Sequence, residues 1–320
     1  MSGDGGKVSR TTRVGAALEQ RGAGPAAGAV PHPVRSAHAG TEMGAVHLRV
    51  ASAERAERFY CEIVGLRVLN RYGGAVRLTA DGIHPLLVLE ERPGAKRAPQ
   101  QRCSGLYHFA LLVPERRDLA LVLRHLLQAG VGVGSADHDV SEALYLSDPD
   151  GNGIEIYWDY PREHWRRLPD GSIYMDADPL DSHGLLQLAE QDTWSGLPQG
   201  TVIGHVHLHV KRLDEAEAFY CGVLGFRPTL RYGAGALFIA AGGYHHHIGL
   251  NIWAGVDAPS PPADAAGLLH YTIVCPDPQR IEAILAWLDA RGERYETRGD
   301  GWYFCDPSGI GIRLTTCPVL

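Results

Sequence analysis

The sequence predicts an α+β fold: four βαβββ units forming two curved mixed sheets, with the helices outside. Three observations lead there. GAVHLRVASAERAERFYCEIVGLRV, from Gly44, lines up with GHVHLHVKRLDEAEAFYCGVLGFRP, from Gly204. Two further strand-helix starts follow, GLYHFALLVPERRDLALVLRHLLQAGV from Gly105 and GLLHYTIVCPDPQRIEAILAWLDARGE from Gly267. The second and fourth copies also end in matching Asp-Pro hairpins, LYLSDPDGNGIEIYW and WYFCDPSGIGIRLTT. Self-similarity of this kind marks repeated supersecondary units.

Each unit opens on an alternating strand. In the first and third copies a helix is expected to begin near Ser52 and Leu213, with Leu213, Ala216, Tyr220 and Val223 at helical spacing. A glycine and a further strand follow. In SEALYLSDPDGNGIEIYWD, Ser141 to Asp159, one strand runs into an Asp-Pro-Asp-Gly turn and a second strand returns. Gly151 is expected to take a backbone angle that other residues resist. On the returning strand Ile154, Ile156 and Trp158 alternate with Glu155, Tyr157 and Asp159, which puts a carboxylate inside an otherwise buried strand. One unit leaves a sheet face that it cannot bury alone. Two units side by side would enclose a cleft on which inward residues converge.

These units divide the chain into an N-terminal extension at 1–40, a first module at 41–160, a linker at 161–201 and a second module at 202–320. The extension is rich in Gly, Ala, Arg and Pro, has little to bury and is expected to be disordered. Met43 stands behind it as an alternative translation start. The linker carries Pro161, Pro169, Pro179 and Pro198.

Bulk properties narrow the function classes. With 320 residues, 45% hydrophobic and 21% charged, the chain has the balance of a globular protein with a real core. A formal charge of −7 and no long basic run argue against a nucleic-acid partner. No apolar run reaches the length of a membrane span, and nothing at the N-terminus reads as a signal peptide. The six scattered cysteines suit free thiols in a reducing cytoplasm, the expected location. Sixteen histidines are more informative, because several fall at matching places in the repeats.

The repeated unit resembles the vicinal oxygen chelate superfamily, which includes glyoxalases and extradiol dioxygenases. The hairpin is more specific. His138, five residues, Leu144-Tyr145, two residues, Asp148-Pro149, one residue, Gly151, three residues and Glu155 resemble the type I extradiol dioxygenase signature. Ala136 departs from it, standing where glycine or a few other residues are preferred. Through YHFALLVP, DPDGNGIEIYWD, GHVHLHV and GYHHHIGLN, residues 44–316 resemble the Bacillus-type two-module catechol 2,3-dioxygenases.

The resemblance implies iron held on one face by two histidines and a carboxylate, with three positions open. One histidine opens each of two units, and the glutamate lies on the last strand of the second. His108 opens unit two and Glu155 ends it. Unit one has Ala45 at its opening position, because aligning GAVHLRV with GHVHLHV pairs His47 with His207 and Ala45 with His205. Unit four opens on His270 but carries Arg313 where the glutamate belongs, and a guanidinium has no lone pair for a cation. Neither module is complete. The expectation is therefore a composite site, His108 and Glu155 from unit two with His205 from unit three. Units two and three would pair across the linker, and units one and four would form a metal-free pair. Completion between two chains of a dimer is the alternative, and homo-oligomerisation is left open.

The same resemblance implies Fe(II), with Mn(II) served by the same ligands, and a small aromatic diol and dioxygen as substrates. A histidine on the fourth strand of unit three would shuttle protons beside the substrate. Alignment selects His246, with His245 and His247 close behind and both also additional ligand candidates. Tyr145 and His138 would hydrogen-bond the substrate oxygen or orient one another. Trp158, Tyr244 and Trp253 are candidates for an apolar ring pocket.

The reaction implied is ring cleavage of a catechol to a 2-hydroxymuconic semialdehyde-type product. Each residue also has a plainer reading: Glu155 as a rim carboxylate paired with an arginine, His108 and His205 as satisfied core histidines. The whole pattern, not any single residue, favours the metal site. A glyoxalase-like or isomerase metalloenzyme using His247 as a fourth ligand to Ni, Zn or Mn is the competing reading. A metal-free binding module of the bleomycin-resistance type is the third.

Overall fold

The computed structural model describes residues 36–99 and 102–317. The disorder expected of the N-terminal extension therefore concerns residues outside the described ones, except for 36–40. There Ala37 N–H donates to Gly225 O at 2.7 Å, and Ser36 accepts from Arg227.

Unit one comprises β1 (Glu42–Val50), α1 (Ala53–Arg58) continued by a π-helical stretch Phe59–Val64, β2 (Arg67–Tyr72), β3 (Ala75–Thr79) and β4 (Pro85–Glu91). The short β5 (Lys96–Arg97) leads to unit two, with β6 (Gly105–Leu112), α2 (Arg116–Gln128), β7 (Gly134–Asp137), β8 (Ser141–Ser147) and β9 (Gly153–Asp159). A short helix, α3 (Ser182–Gln187), lies in the connection. Unit three comprises β10 (Val202–His209), α4 (Leu213–Tyr220), β11 (Arg227–Tyr232), β12 (Ala236–Ala240) and β13 (Ile248–Asn251). Unit four comprises β14 (Ala265–Val274), α5 (Pro278–Arg291), β15 (Glu296–Arg298), β16 (Gly301–Cys305) and β17 (Gly311–Thr315).

Local chemistry sets the helix starts. The Ser52 side chain accepts from Arg55 N–H, Glu115 and Asp118 close a capping box on α2, and Asp277 caps α5 ahead of Pro278 in the first turn. The expected starts near Ser52 and Leu213 match. Val223 lies beyond the end of α4, yet packs into the core with Ala216 and Tyr220.

Two curved mixed sheets result. One runs β15-β16-β17-β14-β1-β4-β3-β2, with β5 on β14; the other runs β11-β12-β13-β10-β6-β9-β8-β7. Unit one thus joins unit four through antiparallel β1–β14, and unit two joins unit three through antiparallel β6–β10. This is the pairing expected from the missing ligands. Phe109, Leu111, Ile154 and Ile156 enter the main core with α2 residues such as Leu119 and Leu123. The alternation of the strands then turns His108, Ala110 and Glu155 to the opposite face.

The Phe-Tyr-Cys repeat ties the two sheets together. Tyr60, from unit one, donates to Asp148 Oδ2 in the Asp-Pro turn of unit two at 2.9 Å. Tyr220, from unit three, donates to Asp306 Oδ2 in the matching turn of unit four, also at 2.9 Å. Ala51 N–H and Arg55 bond Asp150 beside the first of these turns. The turn itself is as expected: Gly151 has φ +92°, and Asp148 Oδ1 accepts from the N–H groups of Asp150 and Asn152. All six cysteines are free thiols. No helix among the described residues is long and apolar enough to cross a membrane.

Candidate metal centre

Three adjacent strands, β9, β6 and β10, form the floor of the site. Glu155 is opposite Ala110, and Ala110 is opposite His205, so the carboxylate and one imidazole flank a methyl group. In the neighbouring row Gly153, His108 and His207 sit side by side. The small residues are required. A Cβ at Gly153 would collide with the Tyr107 carbonyl, and one at Gly204 would collide with the Tyr157 hydroxyl. The β10 register shifts between Ile203 and His205, an irregularity that re-aims the histidine.

His108 Nε2 lies 2.9 Å from Glu155 Oε2 and His205 Nε2 lies 3.1 Å from it. All three donor atoms fall within 4.8 Å of one another, and all three residues are buried. His108 Nε2 lies off hydrogen-bond geometry and has no hydrogen-bond partner. Two donors each about 2.1 Å from a metal, at a right angle, stand about 3.0 Å apart. The observed separations therefore suit two adjacent positions of one coordination sphere. One chain supplies all three groups.

Protonation favours a cation as well. Burial would raise the Glu155 carboxyl, but the facing His205 and His108 outweigh it and hold the group well below the usual range. Burial lowers His205 against the pull of Glu155. An ionised carboxylate is the form in which Glu155 would ligate a metal.

Around this centre the other expected residues fall into two groups. His246 is buried with its ring centroid 4.1 Å from that of His205, and its Nδ1 is 2.7 Å from His245 Nδ1. His245 Nε2 is 2.8 Å from Asp159 Oδ1, and Tyr244 donates to Asp159 Oδ2 at 2.8 Å. On the other side, Tyr145 is paired with Glu155 across β8–β9, and its hydroxyl is 2.7 Å from His138 Nε2. His138 Nδ1 is 2.6 Å from the Asp176 carbonyl oxygen. Burial, then the charge of Glu155, pushes the Tyr145 phenol well above its ordinary value, so it stays protonated.

The three histidines are not on the fourth strand as expected. They occupy the loop entering β13, which begins at Ile248. Glycines 242 and 243 at positive φ turn the chain there, and Thr229 Oγ1 donates to the His245 carbonyl. Freed from strand alternation, His245 and His246 both turn toward the centre. His247 does not: its Nδ1 accepts from Ala241 N–H at 3.2 Å and its ring packs on Tyr244.

Of the ring-pocket candidates, Trp253 is half exposed and stands against Tyr107 and His207. Tyr244 lies behind the histidines with its hydroxyl shared between Tyr157 and Asp159. Trp158 turns to the other face of β9, against Tyr160 and the main core. Asp159 and His207 are the residues that motif reasoning undervalued. Asp159 carries the signal of strand parity, two and four residues beyond Tyr157 and Glu155 on the same face. His207 lies 5.0 Å from His108 between ring centroids and is held well below its ordinary pKa by burial.

Fold and site together define a βαβββ protein with a buried His-Glu-His group able to hold a metal ion, and comparison with known proteins places it. Residues 38–156 and 202–314 match the Glyoxalase/Bleomycin resistance protein/Dioxygenase superfamily, and the chain belongs to that family. It is 46% identical over 273 residues, 85% of this chain and 96% of the relative, to Catechol-2,3-dioxygenase of Bacillus subtilis (strain 168). Among solved structures, a candidate dioxygenase from Bacillus subtilis has TM-score 0.63 at 13% identity, covering 88% of this chain and 86% of that one. Glyoxalase I from Zea mays has TM-score 0.53 at 15% identity, covering 86% and 92%. At these identities the two structures attest the fold alone.

Proposed function

We propose that the protein is an extradiol dioxygenase that cleaves catechol or a substituted catechol, using Fe(II) held by His108, Glu155 and His205, to a 2-hydroxymuconic semialdehyde-type product. The observation that carries this reading is the convergence of those three side chains within one chain that is 46% identical to a catechol-2,3-dioxygenase. In the overall reaction the ring bond beside the diol breaks and both oxygen atoms of dioxygen enter the product. When bound, a ferrous ion supplies open positions for the diol and dioxygen and a route for electron density between them.

The chain's own residues handle protons and position. A carboxylate only accepts, so Asp159 fixes the proton of His245 on Nε2. His245 Nδ1 is then an acceptor, and His246 must donate to it from its own Nδ1. That leaves His246 Nε2 with a free lone pair able to take a proton from a catechol hydroxyl and return it later, while burial and the neighbouring His205 hold the ring well below its ordinary pKa. By the same logic the Asp176 carbonyl holds the His138 proton on Nδ1, and Tyr145 donates to His138 Nε2. The Tyr145 oxygen is thereby turned to accept from a substrate hydroxyl. Tyr107, Phe238, His207 and Trp253 form a ring-lined wall suited to a flat aromatic substrate.

Oxygen uptake tests the assignment. Protein loaded anaerobically with Fe(II), then given catechol and air, should consume oxygen and yield a yellow ring-opened product. The His205→Ala variant should lose that uptake together with its iron. A fully iron-loaded protein that consumes no oxygen with catechol or simple alkylcatechols would overturn the proposal in favour of isomerase chemistry.

A further inference from the structure

The sheet built from units one and four repeats the geometry of the metal centre with its charge reversed. His47 is opposite His270 on β1–β14, as His207 is opposite His108 on β10–β6. Arg313 pairs with Thr272 on one side and Tyr303 on the other, the places that Glu155 holds against Ala110 and Tyr145. Arg77 on β3 corresponds to Phe238 on β12.

The Arg313 side chain is 1% exposed, and only its Nη2 is bonded, to Asp300 Oδ1 at 2.7 Å. Its Nε and Nη1 are buried without partners. Arg77 Nε, both ring nitrogens of His47 and His270 Nε2 are likewise buried and unpartnered. The His47 and His270 rings stack at 4.0 Å, and room for the guanidinium comes from Gly301, where a Cβ would stand 2.7 Å from Arg313 Nε. Burial, His270 and then Arg313 lower His47 to about 2, and burial and Arg313 lower His270 to about 4. At neutral pH each ring is uncharged and offers one N–H. Asp300 balances one of the two guanidinium charges.

A buried guanidinium whose Nε and Nη1 lack acceptors is costly, and charged guanidinium N–H groups bond strongly to the oxygens of an oxoanion. We propose that this inner face of the second sheet binds a small oxoanion, a carboxylate or phosphate, at the unpartnered nitrogens of Arg313, with Arg77, His47 and His270 as further donors.

The test is calorimetric titration and thermal unfolding of the full chain with inorganic phosphate and, separately, acetate, at ionic strength held constant with chloride. Saturable binding and a rising melting temperature are expected with at least one of them. The stronger arm identifies phosphate or carboxylate as the class. Arg313→Gln should weaken binding at least tenfold and Arg77→Gln by less, whereas His205→Ala, at the other site, should leave it unchanged. Neither anion binding up to roughly 10 mM, well above a millimolar Kd, overturns the proposal. So does binding that survives Arg313→Gln or vanishes in His205→Ala. If Arg313→Gln fails to fold, the wild-type titrations and Arg77→Gln still decide.

Discussion

At the scale of single residues, the centre depends on where protons are pinned. Asp159 is bonded to His245 and Tyr244, and through His245 it sets which nitrogen of His246 is free. Asparagine there keeps the shape but can donate as well as accept, so the tautomer is no longer fixed. Asp159→Asn should lower kcat by roughly 10- to 100-fold, within the range of general acid–base contributions, while KM and bound iron stay near wild type. An unchanged kcat would remove Asp159 and His245 from the proton path. Tyr157 and Tyr244 close the same network from behind, which accounts for two buried phenols beside the candidate metal centre.

At the scale of elements, the two Asp-Pro turns are the fasteners. Each is bonded by a tyrosine from the preceding unit, so the unit that follows a turn in the chain is not the one that holds it. Tyr60→Phe leaves the buried Asp148 short of one donor and should cost about 1–3 kcal/mol in urea unfolding. Tyr220→Phe should cost a similar amount at Asp306. A pH effect follows at the second turn. Burial raises the Asp306 carboxyl from 3.8 to about 6, against the N–H groups of Ile310 and Ser308 and the Tyr220 hydroxyl that lower it. Between those two values the folded protein holds a proton that the unfolded chain has lost. This group's contribution is therefore fully present below about 4 and is lost as pH rises through about 6, a change on the order of 3 kcal/mol. Asp306→Asn should flatten that part of the stability–pH curve; an unaltered slope from pH 4 to 6 would show that the turn does not titrate there.

At the scale of the whole molecule, order in the chain and order in space differ. Each sheet takes one unit from before the connection and one from after it, so neither half contains a complete sheet or a complete centre. Fragments made by cutting at the exposed turn around 170–171 should each lack oxygen uptake and iron, and mixing them should restore both. Activity in either fragment alone would contradict the shared architecture. The connection is also part of the body: Trp165, Ile173 and Met175 are buried against Tyr244 and Ala240, and Ile173 N–H donates to Thr229 O.

Much of this was legible from residues alone. The fourfold repeat, the hairpin around Glu155 and the absence of a ligand in units one and four rest on identity and spacing, which a linear chain displays. The absences pointed to units two and three as partners, because a metal centre needs all its donors together, and left completion between two chains as the alternative. Three things were not legible. Whether His245, His246 and His247 lie in a strand depends on two glycines and on bonds to Thr229 and Ala241 from elsewhere in the chain. The role of Asp159 depends on a loop more than eighty residues away coming within hydrogen-bond reach. The unpaired face of Arg313 emerges only when β1 and β14 are laid edge to edge. Sequence specifies which groups exist and in what rhythm; tertiary structure decides which of them lose water and what they then face, and that sets their charge and their chemistry.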